Sequence, residues 1–395
     1  MPFDWLRANG GNCLLTIGRA KRRGNGGPCR TIGDMLQALH IHAGPKALAH
    51  IREHGLRPEH IGAIPGAAGG PKGLILGPLD RFIFGDWLPR SDQPVDLVGA
   101  SIGAWRMATA CLNDPVAAFE RLEHDYIHQH YELPPGQKRV TAEQVSREFG
   151  RNLQAFYGGR IGEVLQHPRY RLHVVTSHGR HVLGREHPLL TPLGYAGAYL
   201  SNALARPALG VWLERVVFSS QGELPFGVDD FRTRQHPLTQ ANFMPAVQAS
   251  CSIPFVLQAV HDIPGAAPGA YWDGGITDYH LHLDWRTPPD RPEGRIVLYP
   301  HFQRQVVPGW LDKALKWRHG ATACLDHTVV LAPNPEWVKT LPGGKLPCRK
   351  DFATHGQDLQ ARVKVWMTAV RAARQMADEF AQWVERADAS GIRPL

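Results

Sequence analysis

Short β-branched runs alternate with helical stretches along most of this chain, and that alternation constrains the fold more than any other feature. Residues 61–64, 95–98, 172–176, 215–219, 296–300 and 328–332 read as strands, each bounded by turn residues or charge. Helical stretches are expected over 45–54, ending at Gly55, over 73–84 and over 102–112. Strands separated by helices return in the same direction, so the expectation is an α/β protein with a central, mostly parallel sheet between helices. Residues 113–168 are polar and rich in histidine, and read as a mostly helical insertion. The stretch 220–240 reads as a long loop. A 4-3-4-3 apolar stripe at 359, 363, 366, 370, 373, 377, 380 and 384 predicts one long C-terminal helix over about 357–386. Residues 1–30, with little periodicity, are expected to be a flexible leader ahead of a single domain over 31–395.

Composition narrows the function classes. Of the 395 residues, 43% are hydrophobic and 20% charged, which excludes a mostly disordered chain. The formal charge is 44 − 36 = +8. That suits an anionic partner, a phospholipid surface or a nucleic acid, without choosing between them. Six cysteines include no C-x-x-C pair, so reduced thiols in a cytoplasmic protein are expected rather than a disulfide framework or a cysteine zinc site. No apolar run reaches the ~18 residues of a spanning helix. Neither a zinc finger nor a long basic helix argues for nucleic acid.

Three motifs carry chemistry. Gly99-Ala100-Ser101-Ile102-Gly103 lies between the strand at 95–98 and the helix from 102. A serine in G-x-S-x-G at a strand-to-helix turn has the form of a nucleophile elbow. An ordinary serine N-cap in a βα turn is the competing reading. Upstream, Gly66-Ala67-Ala68-Gly69-Gly70-Pro71-Lys72-Gly73 joins another strand to another helix. Such a loop offers backbone N–H groups to an oxyanion or a phosphate. The phosphate-loop pattern fails, because only three residues separate Gly66 and Gly70 and Gly73 follows Lys72. The third motif is Asp273-Gly274-Gly275, 172 residues after Ser101, preceded by Ala249-Ser250-Cys251-Ser252-Ile253-Pro254. Alone, Asp-Gly-Gly is a turn signal.

In this order, the motifs resemble those of the patatin-like phospholipase family: G-G-G-x-[RK]-G, G-x-S-x-G, A-S-x-x-[IL]-P and D-G-[GA]. The resemblance spans about residues 60–280. It implies a patatin-like three-layer fold and a lipid acyl hydrolase of the phospholipase A type, working without metal or cofactor. Ser101 would be the nucleophile and Asp273 the base, with no histidine, through an acyl-enzyme. The N–H groups of Gly69 and Gly70 would hold the oxyanion. Gly99, Gly103, Gly274 and Gly275 are the motif glycines. Lys72 is either electrostatic support or a solvated lysine at a helix start. Implied partners are a lipid substrate and, peripherally, an anionic membrane; oligomeric state is not implied. Two positions depart from the pattern. Ala68 replaces the first loop glycine, and Asp278-Tyr279-His280 stands where Asn-x-Pro is frequent.

Competing readings stay open at this level. An α/β-hydrolase with a Ser–Asp–His triad has candidate histidines in His301 and His327. A catalytically inactive, membrane-binding scaffold is a third possibility. His124, His128 and His130 have spacing that zinc could use, but they sit in a solvated polar segment. His280, His282 and Asp284 alternate, so they are expected on one face of a strand. The C-terminal stripe fits a helix packed on its own domain, or a lipid-surface helix flanked by Arg362, Lys364, Arg371 and Arg374.

Overall fold

The computed structural model describes residues 36–132, 136–137, 140–285, 296–386 and 389–395, so the leader expected over 1–30 lies outside the described residues. Gln37–Leu395 form one compact unit. The strands are β1 Leu39–Ala43, β2 Ile61–Gly66, β3 Val95–Ala100, β4 Tyr170–Gly179, β5 Leu213–Ser219, β6 Thr233–Pro237, β7 Val260–His261, β8 Ala270–Asp273, β9 Ile296–Pro300, β10 Thr328–Pro333 and β11 Arg393–Pro394. The helices are α1 Pro45–His54, α2 Gly77–Phe82, α3 Ile102–Ala110, α4 Pro115–His128, α5 Ala142–Tyr157, α6 Ile161–Leu165, α7 Leu190–Leu204, α8 Phe243–Ser250, α9 Pro335–Val338, α10 Lys350–His355, α11 Leu359–Ala372 and α12 Arg374–Arg386. Helices flank a mostly parallel central sheet, a three-layer α/β arrangement.

Sheet order among the described strands is β11-β1-β10-β9-β2-β3-β4-β5-β6. The run from β10 to β4 is parallel throughout. Its strands are buried along their whole length, apart from one half-buried arginine in β4, as both-face coverage by helices requires. β1 and β5 join antiparallel at the two sides. One local feature positions the site. β3 pairs with β4 as far as Ala100 opposite Val175. The next position on that edge of β4, Thr176, pairs with Asp273 at the end of antiparallel β8. Two strands therefore meet end to end along one edge of β4, and the residue that follows β3 faces the last residue of β8.

Several expectations change in detail. The stretch 73–84 is not one helix but a 3₁₀ segment over Gly70–Leu76, then α2, then a π turn over Ile83–Trp87. Pro71 and Pro78 have no N–H to give, so the hydrogen-bond ladder restarts. The loop expected over 220–240 contains β6, whose polar, half-exposed residues carry no apolar alternation. The insertion at 113–168 holds α4, α5 and α6. The C-terminal helix is two helices that break at Ala373. Both bury the apolar stripe: Val363, Trp366, Val370, Ala373, Ala377 and Phe380 are in the core. Arg362 is buried as well, its guanidinium over Phe352 and Trp366. This stripe is a packing face, not a lipid-facing one. Finally, residues 281–284 form no strand. His280 and His282 instead run beside 305–307, bonding to the backbone of Gln305, Val307 and Val306.

Candidate active site

β3 ends at Ala100 and α3 begins at Ile102, so Ser101 alone makes the strand-to-helix turn. It does so at φ 57°, ψ −130°, a strained conformation for a residue with a side chain. Its hydroxyl does not cap α3. It donates instead to Asp273 Oδ2 at 2.8 Å. The other carboxylate oxygen accepts the Gly275 N–H at 2.7 Å. Backbone bonds hold Asp273 from both sides, its N–H donating to Ser252 O and its carbonyl accepting from Ser177 Oγ. Ser101 is 4% exposed and Asp273 5%.

Burial raises the Asp273 carboxyl to about 6. The Ser101 hydroxyl, Arg349, the Gly275 N–H and Lys313 pull the other way without cancelling it. A carboxylate of ordinary acidity is a poor base near neutrality; one raised to this range is better matched to taking a hydroxyl proton.

The motif glycines are where two backbones touch. A Cβ on Gly103 would lie 1.8 Å from the Gly66 carbonyl oxygen, and one on Gly99 2.4 Å from Ala104 Cα. On Gly274 it would lie 2.0 Å from the Val175 oxygen, and on Gly275 2.6 Å from Ala68 Cβ. The glycine-rich loop thus crosses the start of α3 and lies against the Asp-Gly-Gly turn. Ala68 fits because its methyl takes the space Gly275 leaves, and its N–H donates to Tyr279 O. Gly70 has φ +57°, while Gly69 faces the Phe302 ring, 2.4 Å from where a Cβ would stand. No acceptor among the described residues takes the N–H of Gly69 or Gly70. Both N–H groups are thus left without an acceptor inside the described fold.

Lys72 points its ammonium over Phe302 at 5.2 Å from the ring centroid, and burial lowers its pKa. Two further cations, not singled out in the sequence, stand at the same loop. Arg349 Nε is 3.2 Å from the Cβ position of Gly70. Lys313 Nζ lies 3.8 Å from the centroid of Tyr279, the residue whose carbonyl holds Ala68. Among the described residues none of the three has an acidic ion-pair partner. Lys313 is pushed down to about 6 by burial, Arg349 and Lys72, with only Asp273 opposing.

Ser250 also escaped the sequence reading as an individual. Fully buried, its hydroxyl accepts the Ser101 N–H at 3.0 Å and donates to Val175 O at 2.7 Å. It ties the strained elbow to β4. The Asp278 departure has a structural answer too. Asp278 is buried and takes two bonds of 2.7 Å from Arg215, which also grips Asp230. An ion-pair network anchors the turn behind Asp273.

His280 and His301 lie at the edge of this arrangement, stacked on Tyr279 and Phe302, without a hydrogen bond to Ser101 or Asp273. His301 Nδ1 bonds the Gln303 backbone, and burial lowers its pKa to about 3. His327 directly precedes β10, at the amino end of the parallel strands, whereas Ser101 follows the carboxyl end of β3. His124 and His128 stack at 4.2 Å on α4. No three His, Cys, Asp or Glu side chains among the described residues are grouped to hold a metal ion. No protein-family model matches the chain, and a search of curated proteins finds no match either.

Proposed function

We propose that the chain is a serine acyl hydrolase of the patatin-like kind, cleaving the carboxylic esters of lipids through a Ser101–Asp273 dyad. The observation that carries this reading is the direct 2.8 Å bond from the Ser101 hydroxyl to a buried carboxylate at a strained strand-to-helix turn. In the reaction, Ser101 Oγ attacks the ester carbonyl carbon while Asp273 takes the hydroxyl proton. The carbonyl oxygen, now an oxyanion, is held by the Gly69 and Gly70 N–H groups. Collapse breaks the ester C–O bond, and Asp273 returns the proton to the departing alkoxide. Water, deprotonated by Asp273, then attacks the acyl-serine; the acyl C–Oγ bond breaks, Asp273 returns the proton to Ser101 Oγ, and the acid leaves. His301 bonds its own neighbouring backbone and touches neither Ser101 nor Asp273 by hydrogen bond, which favours a dyad over a triad.

The cations favour an anionic lipid. Lys72, Lys313 and Arg349 stand around the loop that would hold the oxyanion, and they repel one another. A phosphate beside the scissile ester would relieve that repulsion and restore the charge Lys313 loses to burial. The test is a panel of p-nitrophenyl esters, neutral acylglycerols and phospholipids, together with a fluorophosphonate probe. Labelling at Ser101, and faster release of fatty acid from phospholipid than from acylglycerol, is the expected outcome. Folded protein that neither labels nor releases acid from any ester would favour the inactive-scaffold reading instead.

A further inference from the structure

α7 is an inverted amphipathic helix. Its buried face carries Thr191, Tyr195, Ala198 and Asn202. Its solvent face carries leucines: Leu189 at its N-cap is 72% exposed, Leu193 63%, Leu200 64% and Leu204 88%. At helical spacing these four fall within an arc of about 60°. No charged residue occurs anywhere in α7. Single exposed leucines are ordinary, but a whole helix face of them marks an interaction surface.

Two exposed aromatics stand close to α7. Phe255 is 56% exposed, and its ring meets Tyr195 of α7 at 5.9 Å. Trp317, 73% exposed, follows exposed Lys316 and precedes Arg318, whose guanidinium donates to the carbonyls of Asn202 and Ala203 in the last turn of α7. Ahead of the helix Arg185 and Glu186 are both exposed and offset each other. Beyond it Arg206 and Arg318 share the buried Asp312, and Lys316 is exposed beside Trp317. The buried side of α7 reaches toward Ser101 and Asp273. Tyr195 packs on Trp272, the residue before Asp273, at 5.8 Å, and Phe255 lies three residues after Ser252, whose carbonyl accepts the Asp273 N–H.

We propose that α7 with Phe255 and Trp317 is a docking surface for an anionic lipid bilayer, lying in the interface plane with its leucines in the acyl boundary. An apolar stripe with an exposed tryptophan and lysine beside its end has the chemistry of an interfacial helix. A second copy of this chain would also carry +8 and would leave Lys316 facing a like-charged molecule, so an anionic lipid surface fits the charge better. The proposal does not depend on catalysis, since binding is measured with the Ser101→Ala protein.

The test is co-sedimentation of the full chain with vesicles of phosphatidylglycerol and phosphatidylcholine, with Trp fluorescence read in parallel. Wild type and Ser101→Ala are expected to bind, with blue-shifted emission. Leu193→Asp/Leu200→Asp is expected to lose about tenfold or more in partitioning. Leu204→Asp, at the most exposed position, serves as the second variant and should lose a smaller factor in the same direction. Circular dichroism melts should match wild type for any variant that is compared. Absence of wild-type binding, or equal binding by wild type and both variants, overturns the proposal. So does a wild-type dimer that the leucine variants dissociate while vesicle binding is unchanged, which would make the face a self-interface.

Discussion

At Asp273, function and stability pull in opposite directions. Its carboxyl is held at about 6 in the fold, above the 3.8 of the free side chain. The folded state therefore binds more protons than the unfolded chain between those values, and stability falls as pH rises through that window. A shift of this size is worth about 3 kcal/mol at neutral pH, by order of magnitude. Asp273→Asn should accordingly be more stable than wild type at pH 7 and lose that advantage near pH 4, in urea melts at both values. The proposed catalysis has the opposite sign. The base must be ionised, so kcat/KM should fall about tenfold per pH unit below about 6. A flat profile from pH 5 to 8 would remove Asp273 from the role of base. Ser250 acts through Ser101, as a positioning residue. Ser250→Ala should lower kcat about tenfold to a hundredfold with little change in KM, as expected when an elbow loses its tether. Unequal legibility of these residues has a physical origin. Ser101 and Asp273 announce themselves through glycines that the touching backbones demand. Lys313 and Arg349 reach the site by side chain alone, from segments with no local signature, while Ser250 stands in a recognisable motif whose spacing does not reveal its bond to the elbow.

At the level of elements, two contacts decide whether the site assembles. Gly103 meets the Gly66 carbonyl where α3 crosses the end of β2. Gly103→Ala should destabilise by about 3 kcal/mol or more, because the clashing atom is backbone and cannot rotate away. Arg215 holds Asp278 and Asp230 behind the Asp-Gly-Gly turn. Arg215→Met should cost about 3–5 kcal/mol in unfolding free energy by leaving Asp278 buried with only the longer contact to Arg206. Central strands were readable because burial on both faces demands unbroken apolar runs. β1 was not, since Leu39-His40-Ile41-His42-Ala43 interleaves histidines that fold into a buried strand. Nor was the end-to-end meeting of β3 and β8 on β4, which depends on pairing between segments far apart in sequence. The stripe of α11 and α12 was visible, but its partner was not: periodicity shows that a face is apolar, not what covers it. The exposed leucine face of α7 has no signature of its own, because a run of leucines and alanines without charges reads as core.

Over the whole molecule, a +8 charge and a three-layer α/β fold frame the proposed dyad. No helix among the described residues is long and apolar enough to cross a membrane. If the charge contributes, binding to anionic vesicles should weaken with added salt, since screening shortens the reach of exposed cations. Equal binding to neutral vesicles would show the charge to be incidental. The most direct test of the central claim is the hydrolytic rate of Asp273→Asn beside Ser101→Ala and His301→Ala, on the best ester of the panel. The account predicts a loss of about 10³-fold or more for the first two and nearly full activity for the third. Full activity in Asp273→Asn, or loss of that size in His301→Ala, would contradict it.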